Sequence, residues 1–162
     1  MILSFTGHRP DKLGGYNIPN PIYNCVVQET KKLIQYLNPD KCITGMALGF
    51  DQYVAQICCE LNIPFIAAVP FVGQESVWNE QAKITFKKLL SKAKDIVIVC
   101  EGSYASYKLQ KRNEWMVDNS DCLIACWDGT LGGTFNCIKY ASSKNKQMYR
   151  INPKDINNPT DI

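Results

Sequence analysis

The chain has 162 residues, of which 46% are hydrophobic and 20% are charged, and its net charge is +3. This length and composition are typical of one globular domain with a sizeable core, and the charge is too small to indicate a nucleic-acid or membrane partner by itself. No apolar run approaches the ~18 residues of a membrane span, and the opening MILSF is too short for a signal peptide. We therefore expect a cytoplasmic protein with no membrane partner.

Eight cysteines stand mostly inside apolar runs such as DIVIVC and DCLIACW, and no C-x-x-C pair is present. This pattern favours buried free thiols over disulfides or a metal cluster. The only histidine is His8, which excludes a metal centre built from several histidines. We expect neither a metal site nor a bound cofactor.

Short apolar runs alternate with longer helical patterns along the chain. The sequence predicts strands at 2–6, 41–44, 64–69, 95–100, 122–127 and 147–151, and helices at 22–37, 51–61, 76–92, 107–119 and 134–143, the third of these behind a Ser76 N-cap. Residues 1–151 form one predicted domain, and residues 152–162 form a loosely attached polar tail.

This alternation predicts an α/β fold, a Rossmann-like three-layer sandwich with a mainly parallel sheet of about six strands. Several predicted strands are continuously apolar, as expected of strands that are covered on both faces. Ligands of such sheets bind outside the carboxyl ends of the strands. A functional site is therefore expected in the connections that follow the strands.

The connection after the first strand holds His8 beside Arg9. Such a pair could solvate a strand end or form one wall of a ligand site. The second connection, ITGMALGFDQYVA at 43–55, places Gly45 and Gly49 before a helix start whose N–H groups favour an anion, although the glycines could equally serve only a sharp turn. Asp51 could be a helix-start carboxylate or a group that binds a ribose hydroxyl.

The third and fourth connections carry weaker signals. Trp78 could stack on a base or pack against the sheet, and packing is the commoner role of a helical tryptophan. Lys108, Lys111 and Arg112 could pair with phosphates, although such a run is most often a solvated helix face. Asn113, next to Arg112, could orient a partner.

The connection after the fifth strand reads WDGTLGGTFNCIKYA at 127–141. Gly129, Gly132, Gly133 and Thr134 precede or begin a helix, which suggests a second anion site made of backbone amides. The alternative for Thr134 is a plain helix cap. Two such sites at neighbouring strand ends suit a ligand that carries phosphate and ribose.

The residues define no catalytic site. A Ser–His–Asp triad would have to recruit His8, and no GxSxG motif supplies its serine. Carboxylates for acid–base chemistry are available at Asp51, Glu75, Glu80, Glu114, Asp118, Asp121 and Asp128. The sequence does not determine which of them share a pocket.

Five segments together resemble a known family. TGHRPDKLGGY, GMALGFDQYVA, PFVGQESVW, KRNEWMVDNSDCLIACWDG and GGTFNCIKYA occur in the order seen in the SLOG superfamily, which includes DNA-processing protein A and the lonely-guy phosphoribohydrolases. The greatest similarity is to its small YpsA-like branch, over about residues 1–145.

This resemblance implies a domain that binds a nucleotide or a nucleotide-derived ligand, and it suggests a homodimer. Its motifs map onto Thr6, Gly7, His8 and Arg9 at the ligand mouth, Gly45, Gly49 and Asp51 in the first anion site, and Gly132, Gly133 and Thr134 in a phosphate loop.

One departure from the lonely-guy pattern concerns catalysis. Those enzymes carry a Pro-Gly-Gly-x-Gly-Thr-x-x-Glu motif, whereas here Cys137 stands at the glutamate position and Asp128 precedes the glycines. A thiol is a poor replacement for a carboxylate that stabilises an oxocarbenium-like state. Asp51 or Glu80 could take over that role.

Three hypotheses follow. The first is a module that binds a nucleotide-derived signal, related for example to NAD or ADP-ribose, without converting it. The second is a nucleotide N-glycosidase. The third is single-stranded DNA binding, for which YASYKLQKR at 104–112 is the one basic and aromatic stretch. We favour a small-molecule ligand over nucleic acid, and binding over catalysis.

Overall fold

A computed structural model describes residues 1–161, with side chains described as far as Asp155. Strands and helices alternate in this part of the chain. The strands are β1 (Ile2–Gly7), β2 (Lys41–Thr44), β3 (Phe65–Val69), β4 (Asp95–Ile98), β5 (Cys122–Cys126), β6 (Gln147–Asn152) and β7 (Asp155–Asp161). The helices are α1 (Pro21–Leu37), α2 (Phe50–Glu60), α3 (Glu80–Leu90), α4 (Ser106–Asp118) and α5 (Gly133–Ser143), with a short 3-10 helix at Pro10–Lys12.

All seven strands form one sheet in the order β4-β3-β2-β1-β5-β6-β7. The first six strands of this order are parallel, and β7 runs antiparallel to β6. The order places β1 near the middle of the sheet, with β2 and β5 on either side. The predicted Rossmann-like fold with a mainly parallel sheet is confirmed.

Helices cover both faces of the sheet. On one face α1, α2 and α3 pack on a core that includes Phe5, Phe50 and Phe65, all nearly inaccessible to solvent. On the other face α4 and α5 pack on smaller clusters around Met116 and Leu123. Alternate residues of the inner strands enter the two cores, which explains why these strands are continuously apolar.

The C-terminal part departs from the sequence prediction. A strand was not expected in the polar segment 152–162, yet β7 pairs with β6 and extends the sheet beyond residue 151. An edge strand pairs on one side only, so it tolerates polar residues and proline. The hydrophobic pattern used to predict strands is weak in such a segment.

Helix α3 begins later than predicted. The Asn79 side chain accepts a hydrogen bond from the Ala82 N–H at 2.8 Å and caps the helix. Ser76 lies in a turn instead, where its N–H donates to the Gly73 carbonyl at 3.0 Å. The predicted Ser76 cap was therefore wrong, because a second capping residue stands three positions later.

All eight cysteines are free, as the sequence predicts, and five of them are buried. In the described part of the chain, none of the helices has the length and apolar character that crossing a membrane requires.

Candidate functional site

A cavity of about 350 Å³ opens at the carboxyl ends of β1, β2 and β5. Four segments form its walls: residues 6–12 at the end of β1 and beyond it, residues 47–51 around the start of α2, residues 109–113 of α4, and residues 130–134 around the start of α5. This is the edge at which parallel α/β sheets bind ligands.

His8 and Asp128 meet at one wall of the cavity. The Nε2 atom of His8 lies 2.8 Å from Oδ1 of Asp128 and 3.0 Å from the backbone nitrogen of the same residue. With a hydrogen on Nε2 the ring donates to the carboxylate, and without one it accepts from the N–H. Burial lowers the pKa of His8, and this effect outweighs the opposing influence of Asp128. His8 therefore acts as a neutral hydrogen-bonding group near neutral pH.

The Asp128 carboxylate is the centre of a polar cluster. Its side chain is only 3% exposed, and its Oδ1 accepts from the Thr130 N–H at 3.0 Å and from the Thr130 hydroxyl at 2.6 Å. Lys154 lies 3.4 Å from its Oδ2 and Lys12 lies 4.0 Å from it. Burial alone would raise the pKa of Asp128, but these hydrogen bonds and His8 outweigh it and hold the pKa below its usual range.

Arg112 forms the back of the cavity, although it belongs to a helix. It is 4% exposed, and its Nη1 donates to the Gly45 carbonyl while its Nε donates to Oδ1 of Asn113 at 3.0 Å. A Cβ on residue 45 would lie 2.4 Å from Nη1 of Arg112. Only glycine allows the guanidinium to approach the backbone so closely.

Asp51 lies beside this guanidinium and is almost fully buried. Its Oδ2 accepts from the Ala47 N–H at 3.3 Å. Burial raises the pKa of Asp51, and the positive charges of Arg112 and Arg9 oppose that shift. The Ala47 N–H, which belongs to the first proposed anion site, is therefore already bonded to the protein's own carboxylate, Asp51.

The start of α2 is also occupied by the protein. Gly49 precedes the helix with a φ of +92°, and the Phe50 N–H donates to the His8 carbonyl at 3.2 Å. A Cβ on residue 49 would lie 2.5 Å from that carbonyl oxygen. The first glycine-rich connection thus joins α2 to the end of β1 through the first N–H group of the helix.

The start of α5 differs, because Gly132, Gly133 and Thr134 all line the cavity. The first N–H groups of a helix have no partner within it, so they are available to an anion. Cys137 lies further along α5 and is buried. Burial raises the pKa of Cys137 to about 12, so this thiol is protonated at neutral pH.

The structure brings most of the residues singled out in the sequence to this cavity. Those that line it are Thr6, Gly7, His8, Arg9, Asp51, Arg112, Asn113, Gly132, Gly133 and Thr134. Gly45, Gly49 and Asp128 lie directly behind them, in contact with Arg112, the His8 backbone and the His8 ring respectively.

Trp78 and Glu80 lie elsewhere. Trp78 packs edge-to-face on Phe86, with ring centroids 5.3 Å apart. Glu80 begins α3 with its side chain 86% exposed, and it pairs with Lys83 at 3.2 Å. Neither of these two residues contributes to the cavity wall.

Lys108 was expected to pair with phosphate or to lie on a solvated helix face. It is buried instead, and its Nζ donates to the carbonyls of Glu101 and Ser103, each at 2.5 Å. Arg112 does not lie on a solvated helix face either, because α4 lies over the sheet and turns this part of its surface inward, where Arg112 lines the cavity. Lys108 therefore secures the connection that precedes α4.

The remaining wall residues were not singled out from the sequence: Asp11, Lys12, Ala47, Leu109, Thr130 and Leu131. Lys12 donates to the Thr130 hydroxyl across the cavity rim. These residues lie inside or next to the segments that carry the family resemblance, and this is the only feature of the sequence that could have indicated them. A motif does not specify which of its side chains turn inward.

The fold and the cavity together define a Rossmann-like protein with a polar pocket at its strand ends. The family model YpsA, described as the YspA SLOG family, matches residues 3–157, and the chain belongs to this family. It is 36% identical over 151 residues to the uncharacterized SPbeta prophage-derived protein YoqJ of Bacillus subtilis (strain 168), an alignment that covers 82% of this chain and 87% of YoqJ. A UPF0398 protein of Bacillus cereus (strain ATCC 14579) is 23% identical over 156 residues, covering 91% of this chain and 85% of that protein.

Solved structures show the same fold at low identity. DNA processing protein A from Helicobacter pylori, described as binding single-stranded DNA, gives a TM-score of 0.67 at 16% identity over 93% of this chain. The Streptococcus pneumoniae protein gives 0.66 at 15% over 93%, and the protein TM1055 gives 0.58 at 15% over 91% of this chain and 71% of its own. This chain covers 64% of the H. pylori and 50% of the S. pneumoniae protein chain.

Proposed function

We propose that the cavity binds a phosphorylated nucleotide or a nucleotide-derived molecule, and that the protein captures this ligand without converting it. The observation that carries the proposal is Arg9. This residue lines the cavity and is exposed, and its side chain has no hydrogen bond or ion pair within the described residues. Arg9 lines the same cavity as the start of α5, so its guanidinium and the N–H groups of the helix start are available to the same anion.

Phosphate is the anion that best suits this arrangement. A guanidinium can hold two of its oxygens while helix-start N–H groups bind a third. The Asp51 carboxylate, which reaches the same cavity, suits the hydroxyls of a ribose. The volume of about 350 Å³ lies within the range of ~300–1,000 Å³ for small-molecule sites.

The residues support binding over hydrolysis of the glycosidic bond. Cys137 stands where the similar hydrolases carry a glutamate, and it is buried and protonated rather than anionic. Glu80, one of the two suggested substitutes, lies outside the cavity. A hydrolase would therefore depend on Asp51, whose location in the cavity is the observation that favours this second function.

Calorimetric titration with AMP, ADP, ADP-ribose and inorganic phosphate tests the binding proposal. We expect Arg9→Ala to weaken nucleotide binding about 10- to 150-fold, because a charge-assisted contact contributes ~1.5–3 kcal/mol. Lys88→Ala is the matched control, since it removes an exposed positive charge from α3, away from the cavity. Equal affinities of wild type and Arg9→Ala, or no heat of binding with any of the ligands, would contradict the proposal.

The hydrolase alternative has its own readout. Nucleoside monophosphates are incubated with the protein and analysed by chromatography for free base. If wild type releases free base and Asp51→Asn does not, the protein is a hydrolase, and the proposal of binding without conversion is wrong.

The salt dependence of binding distinguishes single-stranded DNA binding from the binding of a small molecule. Mobility shifts with single-stranded oligonucleotides that weaken steeply with salt would support DNA binding. We do not expect them, because two of the three cations in the stretch 104–112 are buried, and the third, Lys111, pairs with Glu114 at 3.3 Å.

A further inference from the structure

The two edges of the sheet differ in chemistry. β4 forms one edge and, within the described residues, pairs only with β3. Its sequence is Asp-Ile-Val-Ile, with Ile96 51% exposed and Ile98 44% exposed. A row of unpaired backbone groups flanked by exposed β-branched side chains is a template for another strand.

The other edge shows how this chain protects an unpaired strand. β7 reads DINNPTD, which is polar and contains Pro159, a residue without a backbone N–H. β4 carries no proline, and the structure records no bulge in its pairing with β3. The apolar stretch 95–100 has the composition of an inner strand, yet in the part of the chain that the structure describes its strand pairs with β3 alone.

We infer that β4 pairs with β4 of a second copy of this chain, antiparallel and across a two-fold axis. Such pairing joins two seven-stranded sheets into one continuous sheet and is self-complementary, as a two-fold contact requires. With Val97 on the axis, Ile96 of each copy stands opposite Ile98 of the other. Opposed β-branched residues on one face stabilise an antiparallel pair.

The charges at the two ends of β4 favour the antiparallel direction. Lys92 and Lys94 precede the strand, Glu101 follows it, and all three residues are exposed. Antiparallel pairing brings the lysines of one copy beside Glu101 of the other. Parallel pairing would place lysine beside lysine. Asp95 lies opposite Val99 in this register, so no like charges face each other directly.

This contact is independent of the proposed ligand site. Two strands, β3 and β2, separate β4 from β1, and no residue of β4 lines the cavity. The dimer and the binding function therefore succeed or fail separately.

Sedimentation velocity over a concentration series tests the contact. We expect the wild type to sediment as a dimer that dissociates on dilution, and Ile98→Lys to sediment as a monomer throughout, because it places two ammonium groups in the joined sheet. Tyr36→Lys is the control: this residue is 81% exposed on α1, which packs toward β6 and β7 at the other edge. It should remain dimeric. Circular dichroism establishes that each variant is folded.

Val97→Cys gives a second test that does not disturb the contact. Two copies joined about residue 97 place these cysteines opposite each other, so mild oxidation should give a dimer on non-reducing gels. Peptide mapping distinguishes this link from one through the native cysteines.

A wild type that stays monomeric at the highest concentration would overturn the inference. So would a dimer that survives Ile98→Lys, or oxidation of Val97→Cys that yields no link through residue 97.

Discussion

His8 combines three contacts in one residue. Its ring contacts Asp128, its carbonyl accepts from the start of α2, and its N–H donates to the Cys126 carbonyl at 3.2 Å. The lowered pKa of the ring follows from burial. His8 is therefore better suited to hydrogen bonding with a neutral part of a ligand than to pairing with phosphate, a role that fits Arg9.

The same lowered pKa predicts how stability depends on pH. A histidine whose pKa is lower in the folded state stabilises the fold above its unfolded pKa of 6.5, and this contribution is lost as the pH falls. His8→Gln keeps a hydrogen-bonding group but does not titrate. We expect the free energy of unfolding by urea to fall less in this variant than in wild type between about pH 7.5 and about pH 5.5.

The carboxylates titrate in both proteins, and Asp128 keeps its hydrogen bonds from Thr130 when His8 is replaced, so the comparison mainly reports the histidine. The pKa of Asp128 is held low, so its contribution to stability is lost as the pH falls. The pKa of Asp51 is raised, so its contribution to stability increases as the pH falls. Parallel pH profiles for wild type and His8→Gln would contradict the burial assigned to His8.

At the level of single residues, the sequence predicted positions better than orientations. His8 and Arg9 could be placed because a strand end fixes where the chain leaves the sheet. Arg112 and Lys108 could not, because their burial depends on how α4 lies over the sheet. The position of α4 is determined by long-range packing, which the local pattern of charges does not indicate.

Helix α2 is locked to β1 through its first residue. Gly49 has a φ of +92°, which side chains rarely tolerate, and the backbone of His8 and Arg9 passes directly against it. The glycine therefore sets the distance between the helix and the strand that carries the cavity wall.

Gly49→Ala should destabilise the fold. The backbone conformation alone costs ~1–3 kcal/mol in a residue with a side chain, and the clash with the His8 carbonyl adds to it. Urea unfolding measures the loss. Gly133→Ala is the control, because a Cβ there meets nothing within 4 Å. Its stability should be unchanged or improved by up to ~1 kcal/mol, and equal losses in the two variants would disprove the contact.

Most elements could be predicted because their apolar residues recur at the period of a strand or a helix. The exceptions have physical causes. β7 is polar, as suits a strand that pairs on one side only within the described residues, and α3 is preceded by two residues of the capping type, Ser76 and Asn79. β4 has the composition of an inner strand, so its place at the edge could not be read from its residues.

The free thiols of the whole molecule offer a measure of global unfolding. Cys25, Cys59 and Cys100 are partly exposed and the other five cysteines are buried. Burial also raises the pKa of Cys122 to about 11, and alkylation requires the thiolate. We expect brief alkylation to modify at most the three exposed cysteines in buffer and all eight in urea, counted by intact mass. Rapid native labelling of Cys126 or Cys137 would contradict the packing described.

The contact between His8 and Asp128 joins residues 120 positions apart in the chain. Its consequence appears during synthesis. A nascent chain can complete β1 and α2 early, but the cavity has no wall opposite Arg9 until residues 130–134 have left the ribosome. No shorter folding intermediate can be stabilised by a ligand that requires this wall, because a ligand favours only states able to bind it. Ligand binding would therefore act on the last stage of folding, after the central strands have assembled.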